Sequence, residues 1–315
     1  MSDFLQEHTV EWLEYFGRHG YPDVKPLGAG VEGAIYRLGD GTVAKVWARR
    51  GVSELVRMQK FYADVAAGGL PFDTPVILGV EEIDASAVTF ERELFGKPLR
   101  ERLSTTADGI DHRSATAVIG ILRALAEVSA TAAMTALPVL GEQDPFWSDG
   151  SFTEALSALL VRRVDRFGSL ISSEVEGFDR LFARVLEMLP GLEPVPSALI
   201  HGDLFGENIL VDKAGDPSAV LDFGFISTAG DPRFDAAVTA MIMDMYGPYA
   251  SAATQALTAR IVEELGYPIE VLILYQAAYA IATSNSFTSD GSDGHFSWCM
   301  AQLDRADVRD VLKVR

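Results

Sequence analysis

The hydrophobic period of this chain changes near Phe95, and that change constrains the fold more than any other feature. Before it, apolar residues alternate with polar ones. "KPLGAGVEGAIYRLGDGTVAKVWAR" reads as an antiparallel hairpin about an Asp40-Gly41 turn, and "TPVILGVEEIDASAVTFERE" as two more strands. Two helices flank these strands. One covers residues 3–18, with Leu5, Trp12, Leu13 and Phe16 at helical spacing, and the other is "GVSELVRMQKFYADVAAGG", stopped by Gly68-Gly69. After "FGKPL" the apolar residues recur every third or fourth position, as in "RSATAVIGILRALAEVSATAAM" and "IEVLILYQAAYAIAT". Three short β-like runs, 198–202, 209–211 and 219–223, interrupt the helices. The expectation is an α+β chain with two lobes. Residues 1–94 carry a small antiparallel sheet, and residues 95–315 are mostly helical with a small sheet inset.

Charge and cysteine content narrow the partners. The formal charge is −19, from 45 acids against 26 bases, so the surface repels nucleic acid and anionic lipid. The single cysteine, Cys299, excludes an intramolecular disulfide and any multi-cysteine metal site, and its apolar helical setting reads as a buried structural thiol. The most apolar late stretch, "VLILYQAAYAIAT", is 13 residues and contains Gln276, so it is expected to be a core helix and not a membrane span. "MSDFLQEHTVEWLEYF" lacks the basic start and apolar run of a signal peptide, and the expected location is the cytoplasm. Nothing in the pattern chooses between monomer and dimer.

Polarity is concentrated in a few stretches. "GAGVEG" places Gly28, Gly30 and Gly33 between strands, which suits a loop that covers phosphates, although an ordinary glycine hairpin gives the same string. Lys45, in "TVAKVWA", lies 12 residues past Gly33 and could reach phosphates under such a loop; a solvated strand face is the alternative. "LIHGDLFGENILV" sets His201, Asp203 and Asn208 between apolar anchors, with Gly202 and Gly206 allowing a tight path. "VLDFGF" ends an apolar run on Asp222. An amide oxygen from Asn208 and a carboxylate from Asp222 make a hard, oxygen-rich pair suited to magnesium bearing phosphates. Asp203 would accept the proton of a substrate hydroxyl, while His201 braces the loop.

Together with "AGDPRFDAA", these stretches resemble the aminoglycoside phosphotransferase family, from about Lys25 to the C-terminal helices. That resemblance implies a bilobal protein-kinase-like fold, ATP as phosphoryl donor with GTP possible, and Mg²⁺. It implies Asp203 as catalytic base, Asn208 and Asp222 as metal ligands, and Asp231 and Asp235 as bracing residues. It also implies adenine against the backbone of Glu91 to Leu94. Protein kinases resemble the chain less, having Arg where Gly202 stands. The family pairs its strand lysine with a helix glutamate about fifteen residues on; here that position is near Lys60, leaving Glu54 or Asp64 as partner for Lys45. Members phosphorylate aminoglycosides, other antibiotics, or metabolites such as choline, homoserine and methylthioribose. A cationic small-molecule acceptor bearing a hydroxyl would want the loop acids Asp144, Asp149, Asp290 and Asp293, which could equally be solvated loop charges. Phe146, Trp147 and Trp298 are candidates for an aromatic wall or for core. The expected activity is inactivation of a cationic antibiotic by direct phosphoryl transfer; a metabolite kinase and a non-catalytic nucleotide-binding regulator are the alternatives.

Overall fold

A computed structural model of the chain describes residues 9–30, 32–142, 145–147 and 150–314. It divides into two compact units, Met1–Gly96 with Ser218–Leu221, and Lys97–Pro217 with Asp222–Arg315. Residues 218–221, a sequence-predicted part of the helical lobe, thus belong to the first unit. Ala219 bridges Asp73, and the Ser218 hydroxyl donates to the Phe95 carbonyl at 2.8 Å.

In the first unit, α1 (Thr9–Arg18) precedes five strands: β1 (Lys25–Ala29), β2 (Gly33–Arg37), β3 (Thr42–Trp47), β4 (Ile77–Ile83) and β5 (Ser86–Arg92). They form one antiparallel sheet in the order β1-β2-β3-β5-β4. The β2–β3 turn forms where the sequence predicts it. Gly39 and Gly41 take positive φ, and the Asp40 carboxylate accepts from the Thr42 N–H at 3.0 Å, closing the turn locally. Phe16 of α1 is fully buried against Tyr36, Ala44, Val46 and Val88 of the sheet. The helix α2 (Val52–Ala66) buries Leu55, Met58, Phe61, Tyr62 and Val65, the three-and-four stripe visible in its sequence.

The second unit is built on helices. Those used below are α3 (His112–Glu127), α4 (Ala132–Thr135), α5 (Phe152–Glu174), α6 (Phe178–Met188), α7 (Pro232–Ile242), α8 (Ala250–Leu265), α9 (Ile269–Thr283) and α10 (Gly294–Leu303). Their starts are written in the sequence: Asp111 caps α3, Thr131 caps α4, and Ser151 with Glu154 forms a capping box on α5. From Val271 to Thr283 every residue of α9 is buried. Gln276 is tolerated there because its amide donates to the Ala237 carbonyl and its oxygen accepts from Arg305. No helix among the described residues is long and apolar enough to cross a membrane. Short antiparallel ladders sit among the helices, including those formed by β6 (Lys97–Pro98), β7 (Ala198–Ile200), β8 (Ile209–Val211) and β9 (Thr228–Gly230). The first strand of these pairs with the third, and the second with the fourth. The fold is therefore α+β, a small antiparallel sheet in the first unit and a mostly helical second unit.

One buried charge stands out. Arg163 on α5 is 8% exposed, and its Nε and Nη2 have no hydrogen-bond partner among the described residues. Its guanidinium rests over the Phe167 ring at 4.7 Å, and burial pushes its pKa down. An apolar side chain of similar length keeps the packing and removes the desolvation cost. Arg163→Met is therefore expected to raise stability by about 1–3 kcal/mol. A higher denaturant midpoint at unchanged slope checks this; a lower one contradicts it.

Candidate functional site

The first unit holds the glycine stretch and Lys45. Gly30 N donates to the Gly33 carbonyl at 2.9 Å, folding the β1–β2 connection tightly. Of the three glycines, only Gly33 is sterically required: φ is +155°, and a Cβ there would lie 2.0 Å from the Val46 carbonyl oxygen. A Cβ at Gly28 or Gly30 meets nothing within 4 Å. Lys45 stands on β3 opposite Ile35 and Thr89, is 9% exposed, and lays its ammonium 3.8 Å from the Trp47 ring centroid.

Lys45 pairs with a carboxylate that the sequence did not point to. Lys45 Nζ pairs with Glu32 Oε2 at 3.1 Å, whereas Glu54 accepts from Arg50 Nη1 at 2.7 Å. The reason is local: Glu54 follows Arg50 by four residues at the start of α2, within reach of its guanidinium. Asp64 lies in the last turns of α2, half-buried. At the end of β5, the Arg92 and Glu93 N–H groups are already committed, to the Val76 and Gly41 carbonyls. The Glu91 carboxylate accepts from the Thr89 hydroxyl. Leu94 N has no such acceptor among the described residues, so it is a backbone donor that this connection can offer.

The second unit holds the polar loop between β7 and β8. Gly202 has φ +74°, and a Cβ there would sit 2.7 Å from the Ile226 carbonyl oxygen, which explains a glycine where protein kinases have Arg. The His201 and Gly202 N–H groups both donate to the buried Asp235 carboxylate, at 3.0 and 2.8 Å. Burial raises the Asp235 pKa to about 6, and these two donors pull the other way. His201 is fully buried; its Nδ1 accepts from Asp203 N at 3.2 Å, and its ring packs 4.3 Å from that of Phe223. Ser227 ties the two polar loops together, donating to the His201 carbonyl at 2.5 Å and accepting from Gly224 N at 2.7 Å.

These contacts set the three functional candidates. Asp203 is half-buried at the head of the loop, and Asn208 closes it, donating Nδ2 to the Asp203 carbonyl at 2.9 Å. Among the described residues no donor bonds Asn208 Oδ1. Asp222 is exposed and takes φ +52°, the left-handed conformation that turns the chain into Phe223-Gly224. One amide oxygen and one exposed carboxylate fit Mg²⁺, which takes one or two protein oxygens and completes its shell with phosphate and water. No group of three His, Cys, Asp or Glu that could hold a metal occurs among the described residues, which this binding mode does not need.

The bracing residues form a second layer. Asp231 caps α7 ahead of Pro232, chelates the Arg233 guanidinium, and accepts from the Tyr275 hydroxyl at 2.6 Å. Arg100 and Asp244 were not legible in the sequence. Arg100 N donates to the Gly206 carbonyl at 3.0 Å, and its guanidinium pairs with Asp244 at 2.7 Å. Tyr279 on α9 is fully buried; burial raises its pKa, and the nearby Asp203 charge raises it further.

The acidic loop candidates fare differently. Asp144 and Asp149 lie outside the described residues. Asp293 caps α10 and accepts from the Thr288 hydroxyl and Phe296 N, and Asp290 accepts from Ser292 N. Both carboxylates therefore have local folding roles. Phe146 is core, Trp147 donates to the Ala229 carbonyl at 2.9 Å, and Trp298 is half-buried, stacked on His295. Cys299 is buried as expected, its thiol pushed up to about 12 mainly by burial. Around His295 gather Tyr246, 67% exposed, and Phe287, 68% exposed and stacked on Phe225.

Comparison with known proteins bears on the fold and the family. Three solved structures share the fold. An aminoglycoside phosphotransferase from Streptomyces rimosus, in complex with ADP and streptomycin, is 17% identical with a TM-score of 0.55, over 88% of this chain and 98% of that one. A macrolide 2'-phosphotransferase from Brachybacterium faecium is 19% identical with a TM-score of 0.58, over 93% and 98%. APH(2'')-IIIa, solved with GDP and kanamycin, is 17% identical with a TM-score of 0.60, over 93% and 98%. No match is found among curated protein sequences. The profile of the phosphotransferase enzyme family matches residues 23–265: the chain belongs to that family and is a phosphotransferase.

Proposed function

We propose that the protein transfers the terminal phosphoryl group of ATP, or of GTP, to a hydroxyl of a small molecule, with Asp203 as base. The observation that carries this is the loop from His201 to Asn208, tied to Asp235 and Ser227 and placed beside the loop of Asp222. Phosphoryl transfer depends chiefly on positioning and charge stabilisation, and a braced loop supplies the first. Lys45 would hold phosphates, Gly33 would let the covering loop approach them, and Leu94 N would meet the base. Asn208 and Asp222 would hold Mg²⁺, which neutralises charge on the phosphates when bound. Asp203 would orient the acceptor hydroxyl and take its proton, while Asp231, Asp235 and His201 keep the loop in place.

The acceptor we favour is a cationic antibiotic, taken up in the cytoplasm by a monomer or dimer. The −19 charge and the aminoglycosides bound by structural relatives support it. A specific observation favours a second reading, an alcohol on an apolar ring: Tyr246 and Phe287 expose large aromatic surface, and Asp290 and Asp293 are used in folding. The test is a panel of kanamycin, streptomycin, a macrolide and small amino alcohols, incubated with ATP and Mg²⁺ and weighed for one added phosphate. A phosphorylated aminoglycoside supports the first reading, and a phosphorylated macrolide alone supports the second. Turnover of amino alcohols only would mean a metabolite kinase. No transfer to any of them, with nucleotide bound, would mean an acceptor outside these classes.

A further inference from the structure

Two cations in the first unit converge on a single carboxylate from the glycine loop. Glu32 presents Oε2 to Lys45 Nζ at 3.1 Å and Oε1 to Arg50 Nη2 at 3.0 Å. The cations are the fixed partners. Lys45 is nine-tenths buried within β3 and lies against Trp47. Arg50 is held from behind by Glu54 at 2.7 Å and borders the same Trp47 ring. The acid is the replaceable one: its side chain is 50% exposed and sits on a loop, anchored through its backbone carbonyl to Ala48 N.

A lysine and an arginine spaced to take both oxygens of a carboxylate will take two oxygens of a phosphate in the same way, and a doubly charged group more strongly. Burial disfavours the charged form of Glu32, yet Lys45 and Arg50 outweigh it and hold its pKa below the usual range, so the carboxylate stays ionised at neutral pH. We infer that Glu32 occupies the phosphate seat of the glycine loop in the nucleotide-free protein, and that Arg50 is a second phosphate-binding cation beside Lys45. Nucleotide entry then exchanges an internal carboxylate for a polyphosphate. The exchange discriminates by charge: a diphosphate or triphosphate displaces Glu32, whereas a nucleoside without phosphate gains nothing from its displacement. This rests on the nucleotide-binding reading above.

The experiment is calorimetric titration of the full-length protein, Glu32→Gln, Arg50→Met and the double variant with ADP and with adenosine, after thermal melts show that each variant folds. Removing the competing charge should tighten ADP about 3–30-fold while leaving adenosine within about twofold. Arg50→Met should weaken ADP by a similar factor and cancel most of the gain in the double variant. Equal ADP affinity for native protein and Glu32→Gln, or for native protein and Arg50→Met, overturns the inference while leaving the nucleotide reading intact. A matching gain for adenosine also overturns it, because the change would then act on the whole ligand. If the native protein and all folded variants bind none of ADP, ATP, GDP and GTP, both readings fall.

Discussion

Asp203→Asn is expected to lower the rate of phosphoryl transfer by about 10²–10⁴-fold while leaving nucleotide affinity within about twofold. The substitution is informative because two bonds that shape this loop run through the backbone of residue 203. Asp203 N donates to His201 Nδ1, and the Asp203 carbonyl accepts from Asn208 Nδ2. Asn has nearly the same volume, so the loop path, the Asp235 brace and the Ser227 link should persist. What is lost is the group that can take a proton from the acceptor hydroxyl. Initial rates with the acceptor found by the panel, alongside ADP titration, separate the two quantities. A variant that keeps more than about a tenth of the native rate removes Asp203 from the role of base.

Much of the fold was legible because its signals are local. The Asp40-Gly41 turn, the buried stripe of α2 and the cap of Asp111 on α3 each depend on residues within a few positions of one another. The polar loop was legible for the same reason, since Gly202, Asp203 and Asn208 act within seven consecutive residues. What sequence could not show was pairing over distance. Glu32, and not Glu54, meets Lys45, because the hairpin carries the glycine loop back over β3 while Arg50 claims the helix acid. Arg100 and Asp244 are 144 positions apart and look like any surface charges until the chain folds. Asp290 and Asp293 show a role that the sequence pattern did not single out: in an acidic, glycine-rich loop such acids often cap helices and turns, as these do. Ser227 gave no signal at all, because one hydroxyl in "ISTAG" carries no pattern.

Asp235→Ala is expected to cost about 3–5 kcal/mol, among the largest losses of stability available in the second unit. Asp235 is 2% exposed and receives two backbone donors, His201 N and Gly202 N. Truncation leaves both donors buried without a partner, at about 1–3 kcal/mol each, and opens a small cavity. Asp235→Asn should cost less, since one oxygen still accepts. The same residue predicts a pH signature. Its folded pKa is about 6, above the usual carboxylate value of about 4 that the unfolded chain would show. As pH rises from about 4 to about 6 the unfolded chain therefore loses this proton first, and the folded state binds more protons than the unfolded one. The stabilisation contributed by Asp235 is then complete below about pH 4 and declines by about 2–3 kcal/mol by the time pH passes about 6. Other carboxylates are separated out by difference: Glu32, Asp111 and Asp307, whose pKa values are lowered, produce the opposite slope but are common to both proteins. Denaturant unfolding of native protein and Asp235→Asn at intervals from about pH 4 to about pH 8 should show the native advantage shrinking up to about pH 6 and constant beyond. An advantage that instead grows with pH would mean that the two N–H donors outweigh burial, and that the loop is held by a fully ionised carboxylate throughout.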